Sequence, residues 1–175
     1  MKVLTSSVQA VEELVSFLTR NGRMPYLVLG LMPEGEFHHK FPRKPKFSDG
    51  IRYESIPMGD TDTKIPLLRG GSVMPPSKED AAAILAMARE VMQVAPSATV
   101  VIHCNMGVSR SVAAAALFRA VEFGPGREAD IPSQLRKDAG LEDFEDLSPL
   151  AILIRYGDEL LGRDGRLVAA LLSDR

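Results

Sequence analysis

The chain has 175 residues, with 21 Lys and Arg against 23 Asp and Glu, for a formal net charge of −2. Apolar residues make up 45% and charged residues 25%, a composition that fits one globular domain over residues 1–175 and excludes a disordered, collagen-like or coiled-coil chain. The near-neutral charge argues against a nucleic-acid partner, and one cysteine excludes a disulfide framework or a multi-cysteine zinc site.

In chain order, Met1 to Leu4 reads as a short edge strand. The N-terminal residues form no signal-peptide core, and no apolar run reaches the roughly 20 residues of a membrane span. A soluble protein of the reducing cytoplasm, with no membrane partner, is therefore expected. Ser6 and Gln9 have the spacing of a capping box, ahead of Val8, Val11, Val15 and Leu18 at helical period, with Asn21-Gly22 as the stop. Tyr26 to Leu31 is an apolar run suited to a buried strand. Met32 to Gly50 reads as a long polar loop whose basic stretch, 38–46, is expected to be a solvated surface segment. Ile51 to Ile56 reads as a strand, followed by a Gly- and Pro-rich loop to Pro76.

Ser77 caps the next helix, whose Ile84, Leu85, Ala88, Val91 and Met92 form an apolar stripe. Ala98 to Ile102 is a β-branched run of the central parallel type. An Ala-rich helix follows from Ser109 to Phe123. The rest is helical: 131–138, a helix with Ser148 as N-cap and Pro149 as N1 ending near Gly162, and a short one carrying Leu167, Val168, Leu171 and Leu172. Asp158 and Glu159 fall on the second of these with no evident function. Strands separated by helices predict a single α/β domain, a mainly parallel central sheet flanked by helices, with a helical C-terminal third.

The chemistry concentrates in Val100-Val-Ile-His-Cys-Asn-Met-Gly-Val-Ser-Arg-Ser111. A buried strand ends at His103, five residues separate Cys104 from Arg110, and a helix begins at the far end of that loop. Ligands of open α/β sheets bind at the carboxyl ends of strands. The backbone N–H groups of Asn105, Met106, Gly107, Val108, Ser109 and Arg110, with the helix N-terminus, form a cradle for an anion. Gly107 lets the loop curl, and Arg110 offers a planar fork to two phosphate oxygens. All of these favour negative charge beside Cys104.

The segment HCNMGVSRS resembles the signature of the cysteine-dependent protein tyrosine phosphatases, most closely the short dual-specificity branch with its compact bacterial members. The resemblance implies that Cys104 attacks phosphorus to give a cysteinyl-phosphate, and that Arg110 holds the phosphoryl oxygens. It further implies that Ser111 assists departure of the sulfur, that His103 orients the loop, and that no metal or cofactor takes part. The substrate it implies is a phosphorylated protein or peptide, carrying phosphotyrosine and also phosphoserine or phosphothreonine. The family's general acid is expected at Asp60, just past the strand 51–56, with Asp62 as the rival. The distance from Asp60 to Cys104 is longer than usual for short members, with extra residues around Lys64 to Val73. A phospho-binding module of the same fold is an alternative, but such a module should have lost Cys104 or Arg110. A rhodanese-type sulfur transferase would lack these flanks. A phosphoinositide or small phosphomonoester phosphatase would favour lysines inside the loop, where Asn105, Met106, Val108 and Ser109 are uncharged.

Overall fold

The computed structural model describes residues 1–33, 45–61, 65–66, 72–140 and 148–172. Its main sheet joins β1 (Lys2–Ser7), β2 (Leu27–Gly30), β3 (Arg52–Ser55) and β6 (Thr99–Cys104) in the order β1-β6-β2-β3, with every pairing parallel. A separate two-stranded antiparallel ribbon pairs β4 (Ile65–Pro66) with β5 (Ser72–Val73). The helices are α1 (Val11–Arg20), α2 (Lys78–Val94), α3 (Arg110–Phe123), α4 (Ile131–Ala139), α5 (Ala151–Leu161) and α6 (Arg166–Leu172).

The period of two along a strand divides the core. Leu27, Leu29, Val100 and Ile102 face a large layer built with α2, α3, α5 and α6. Val28 and Val101, one residue out of phase, pack instead against Val11, Val15 and Leu18 of α1. Both faces of the central strands are therefore covered, as their continuous apolar runs require. Helix α3 is buried on nearly all sides, from Val112 through Ala120. Its run of four alanines, all fully buried, keeps the helix slim enough to be surrounded.

Most predicted elements are found, but two helix starts are corrected. Ser6 and Gln9 form no capping box. The β1 ladder continues to Ser7, paired with Cys104, and α1 begins only at Val11, with Ala10 at its N-cap and no side-chain cap. The Ser7 hydroxyl instead accepts from the Ala10 N–H at 3.2 Å. Likewise α5 starts at Ala151 with Leu150 as N-cap, not at Ser148-Pro149; the Ser148 N–H is donated to the Val108 carbonyl at 2.9 Å. By contrast, Ser77 closes a full capping box with Asp80 at the start of α2. Asp158 proves to be structural: only 6% exposed, its carboxylate accepts from the backbone N–H groups of Gly165 and Leu167 at 2.7 and 2.8 Å. It thereby satisfies donors at the start of α6. Among the described residues, no helix is long and apolar enough to cross a membrane.

Candidate active site

The parity of β6 sets the site. Cys104 continues the phase of Val100 and Ile102, so its side chain faces the α3 layer. His103 continues the phase of Val101 and faces the α1 side. Cys104 Sγ lies 3.3 Å from Ser111 Oγ on the first turn of α3, and the Gly107 N–H donates to the same sulfur at 3.3 Å. The five-residue loop thus wraps over the sulfur and delivers the chain into α3. Cys104 and Arg110 are each 1% exposed, whereas the loop side chains Met106 and Val108 stand out at 71% and 40%.

The loop is held from two sides. The Val8 N–H donates to the Cys104 carbonyl at 2.8 Å and to that of Asn105 at 3.3 Å. On the other side the Val108 carbonyl takes the Ser148 N–H. Gly107 sits at φ +82°, and a Cβ there would lie 2.7 Å from the Ser6 carbonyl carbon and 2.8 Å from the Ser7 nitrogen. Both opposing atoms are backbone of β1 and cannot swing aside. Gly107→Ala should therefore destabilise the fold by at least about 2 kcal/mol, combining left-handed strain with displacement of the loop. Denaturant unfolding measures this, and a variant as stable as the parent would contradict the close approach.

His103 is fully buried, with its ring 6.0 Å from that of Tyr53 and nearly parallel to it. The Tyr53 hydroxyl lies 3.4 Å from Nε2. Gly30 makes room for the pair, since a Cβ there would meet the Tyr53 hydroxyl at 2.4 Å and His103 Nε2 at 2.8 Å. Burial, reinforced by the nearby Arg110 charge, pushes the His103 imidazole down to about 4. It is therefore neutral at physiological pH. A lowered folded-state value also affects stability. Between about pH 6.5 and 4 the unfolded chain binds a proton at this position that the folded chain refuses. Stability should therefore fall as pH drops through that window, by roughly 3 kcal/mol. Denaturant unfolding at pH 7 and pH 4.5 should show His103→Asn losing less stability on acidification than the parent. Equal losses would exclude His103 as the source.

Asp60 stands in the loop after β3, and its carboxylate reaches the loop between Cys104 and Arg110. Oδ1 accepts from the Ser109 hydroxyl at 2.5 Å, and Oδ2 lies 3.9 Å from Arg110 Nε. The backbone supports this placement: Arg110 Nη1 donates to the Met58 carbonyl at 3.0 Å, and the Gly59 N–H donates to the Met74 carbonyl at 2.8 Å. That second bond brings together Gly59 and Met74, which lie on either side of the extra residues. Two of its segments pair as β4 and β5, strands that the sequence reading missed because two residues carry no periodicity. The insertion therefore leaves Asp60 beside the loop. Asp62 lies outside the described residues, as do 38–44 of the basic segment. Also missed was Tyr53, whose only sequence signal was its place on the strand 51–56. Among the described residues, no three His, Cys, Asp or Glu side chains gather as metal ligands.

A scan against protein-family models finds no match, and neither does a search of curated proteins. Solved structures are similar throughout. The human tyrosine phosphatase-like serine/threonine/tyrosine-interacting protein superposes with TM-score 0.62 at 15% identity, over 91% of this chain and 90% of that one. Human DUSP28 gives 0.57 at 13%, over 91% and 94%. OH1 from the Orf virus, described as a tyrosine phosphatase with triple substrate specificity, gives 0.54 at 16%, over 91% and 82%. The chain has the α/β fold of the dual-specificity and tyrosine phosphatases.

Proposed function

We propose that the chain is a metal-independent phosphomonoester hydrolase of the dual-specificity type, acting on phosphotyrosine and on phosphoserine or phosphothreonine in proteins. The observation that carries this reading is the meeting, at the end of β6, of a cysteine sulfur, a buried arginine and a carboxylate from a separate loop. These are the three groups that phosphoryl transfer to sulfur needs.

In the proposed reaction the Cys104 thiolate attacks phosphorus, an S–P bond forms, and the P–O bond to the leaving group breaks as Asp60 supplies its proton. Arg110 and the N–H groups of residues 105–110 hold the phosphoryl oxygens, most strongly as charge spreads over them in the transition state. Water then attacks the cysteinyl-phosphate and gives its proton to Asp60. The S–P bond breaks toward sulfur, with the Ser111 hydroxyl, 3.3 Å away, donating to the departing thiolate.

A second reading has one observation in its favour: a similar structure is named as a phosphatase-like interacting protein. A binding module would capture phosphorylated partners without turnover. The presence of both Cys104 and Arg110 favours catalysis. A panel of phosphotyrosine and phosphothreonine peptides, an aryl phosphate and a soluble phosphoinositide, assayed in chelator, separates the readings. Peptide turnover in chelator is expected. Turnover of the phosphoinositide alone, an absolute need for divalent metal, or peptide binding without hydrolysis would each replace this proposal.

A further inference from the structure

Ser109 occupies the N-cap of α3, where a serine oxygen ordinarily accepts a backbone N–H from the first turn. Here it makes no such bond. Its hydroxyl turns to the loop after β3 and donates to Asp60 Oδ1 at 2.5 Å, across 49 residues of sequence. The helix forgoes a cap, and the side chain that would have supplied it fixes a carboxylate instead.

We infer that Ser109 is the positioning residue of the acid step, holding Asp60 in the orientation from which it protonates the leaving oxygen. The inference rests on the reading of Asp60 as the general acid. The hydrogen bond distinguishes the two oxygens. In the protonated acid, the oxygen accepting from Ser109 is the carbonyl oxygen, and the proton falls to Oδ2. Oδ2 is the oxygen on the Arg110 side, 3.9 Å from Nε, where the phosphoryl group would be held. Ser109 therefore sets both the rotamer and the proton-bearing atom of a side chain that is 41% exposed and whose other charged contact is the longer 3.9 Å approach to Arg110. The backbone bonds at Met58 and Gly59 place the loop, but they leave the two side-chain torsions of Asp60 open.

A kinetic cycle tests this. Ser109→Ala, Ser109→Thr, Asp60→Asn and the Ser109→Ala/Asp60→Asn pair are assayed for kcat and KM on an unactivated aryl phosphate and on an activated one. Ser109→Ala should lower the ratio of the two kcat values, unactivated to activated, by about tenfold, with KM for both esters within a factor of about two. Ser109→Thr, which keeps the hydroxyl, should restore the ratio. In the Asp60→Asn background Ser109→Ala should leave the ratio unchanged, since there is no acid left to orient. Equal losses on both esters from Ser109→Ala, or a full further drop in the ratio in the double variant, would overturn the inference while Asp60 keeps its role. If Asp60→Asn itself does not change the ratio, the general-acid reading fails, and the positioning role with it. Orthovanadate binding and unfolding midpoints near the parent's show that the variants are folded. A Ser109→Ala variant that fails to fold leaves the decision to the Thr variant, whose ratio must then match the parent's.

Discussion

Cys104→Ser is expected to abolish hydrolysis of an aryl phosphate, by at least about 10³-fold, while orthovanadate still binds. The two halves of this result come from different parts of one loop. The proposed nucleophile is a single sulfur at the end of β6, and a serine hydroxyl there is a far weaker nucleophile. The anion cradle consists of backbone N–H groups and Arg110, which the substitution leaves in place. Arg110→Lys should lose about 10²–10³-fold as well, because a point charge cannot replace a fork that also donates to the Met58 carbonyl. In that variant, unlike Cys104→Ser, vanadate binding should weaken. Titration calorimetry with vanadate and a steady-state assay separate the two. Substantial turnover by Cys104→Ser would exclude the cysteinyl-phosphate, and loss of vanadate binding by it would mean that the sulfur, not the cradle, holds the anion.

What could be read in advance was whatever is local. The β-branched run ending in His103-Cys104, the five-residue loop and the alanine helix form one contiguous segment, and its periodicities fix which side chain faces which layer. The failures share a cause, since each concerns a backbone group satisfied by something distant. The Ser6 to Gln9 capping box was a sound local pattern, but the ladder pairing Ser6 with His103 and Ser7 with Cys104 claimed that backbone first. Ser148 is a plausible N-cap, but α5 begins three residues later, at Ala151, and the Ser148 backbone ties to the Val108 carbonyl instead. Asp158 has no function legible in the sequence because its partners, at Gly165 and Leu167, are N–H groups that any residue carries. The acid loop was half legible. The strand before Asp60 was visible, but the bond from Gly59 to Met74 that neutralises the insertion was not. The meeting of Tyr53 with His103 and of Asp60 with Ser109 depends on the order β6-β2-β3, which periodicity does not reveal.

That placement of Asp60 yields the second large effect. Asp60→Asn should slow hydrolysis of an unactivated aryl or alkyl phosphate by about 10²–10⁴-fold, because the leaving oxygen must then depart as an anion without a proton. With a leaving group already stable as an anion the loss should shrink toward unity. Asparagine is nearly isosteric and can still accept from Ser109, so geometry is preserved and only the proton is removed. Asp62→Asn serves as the comparison, with little change expected. Both variants measured across pH on a good and a poor leaving group decide between the carboxylates. A leaving-group-dependent loss in Asp62→Asn alone would move the acid two residues along the loop. If neither variant shows it, the carboxylate beside Ser109 and Arg110 supplies charge and contact but no proton, and the leaving oxygen must draw its proton from another donor.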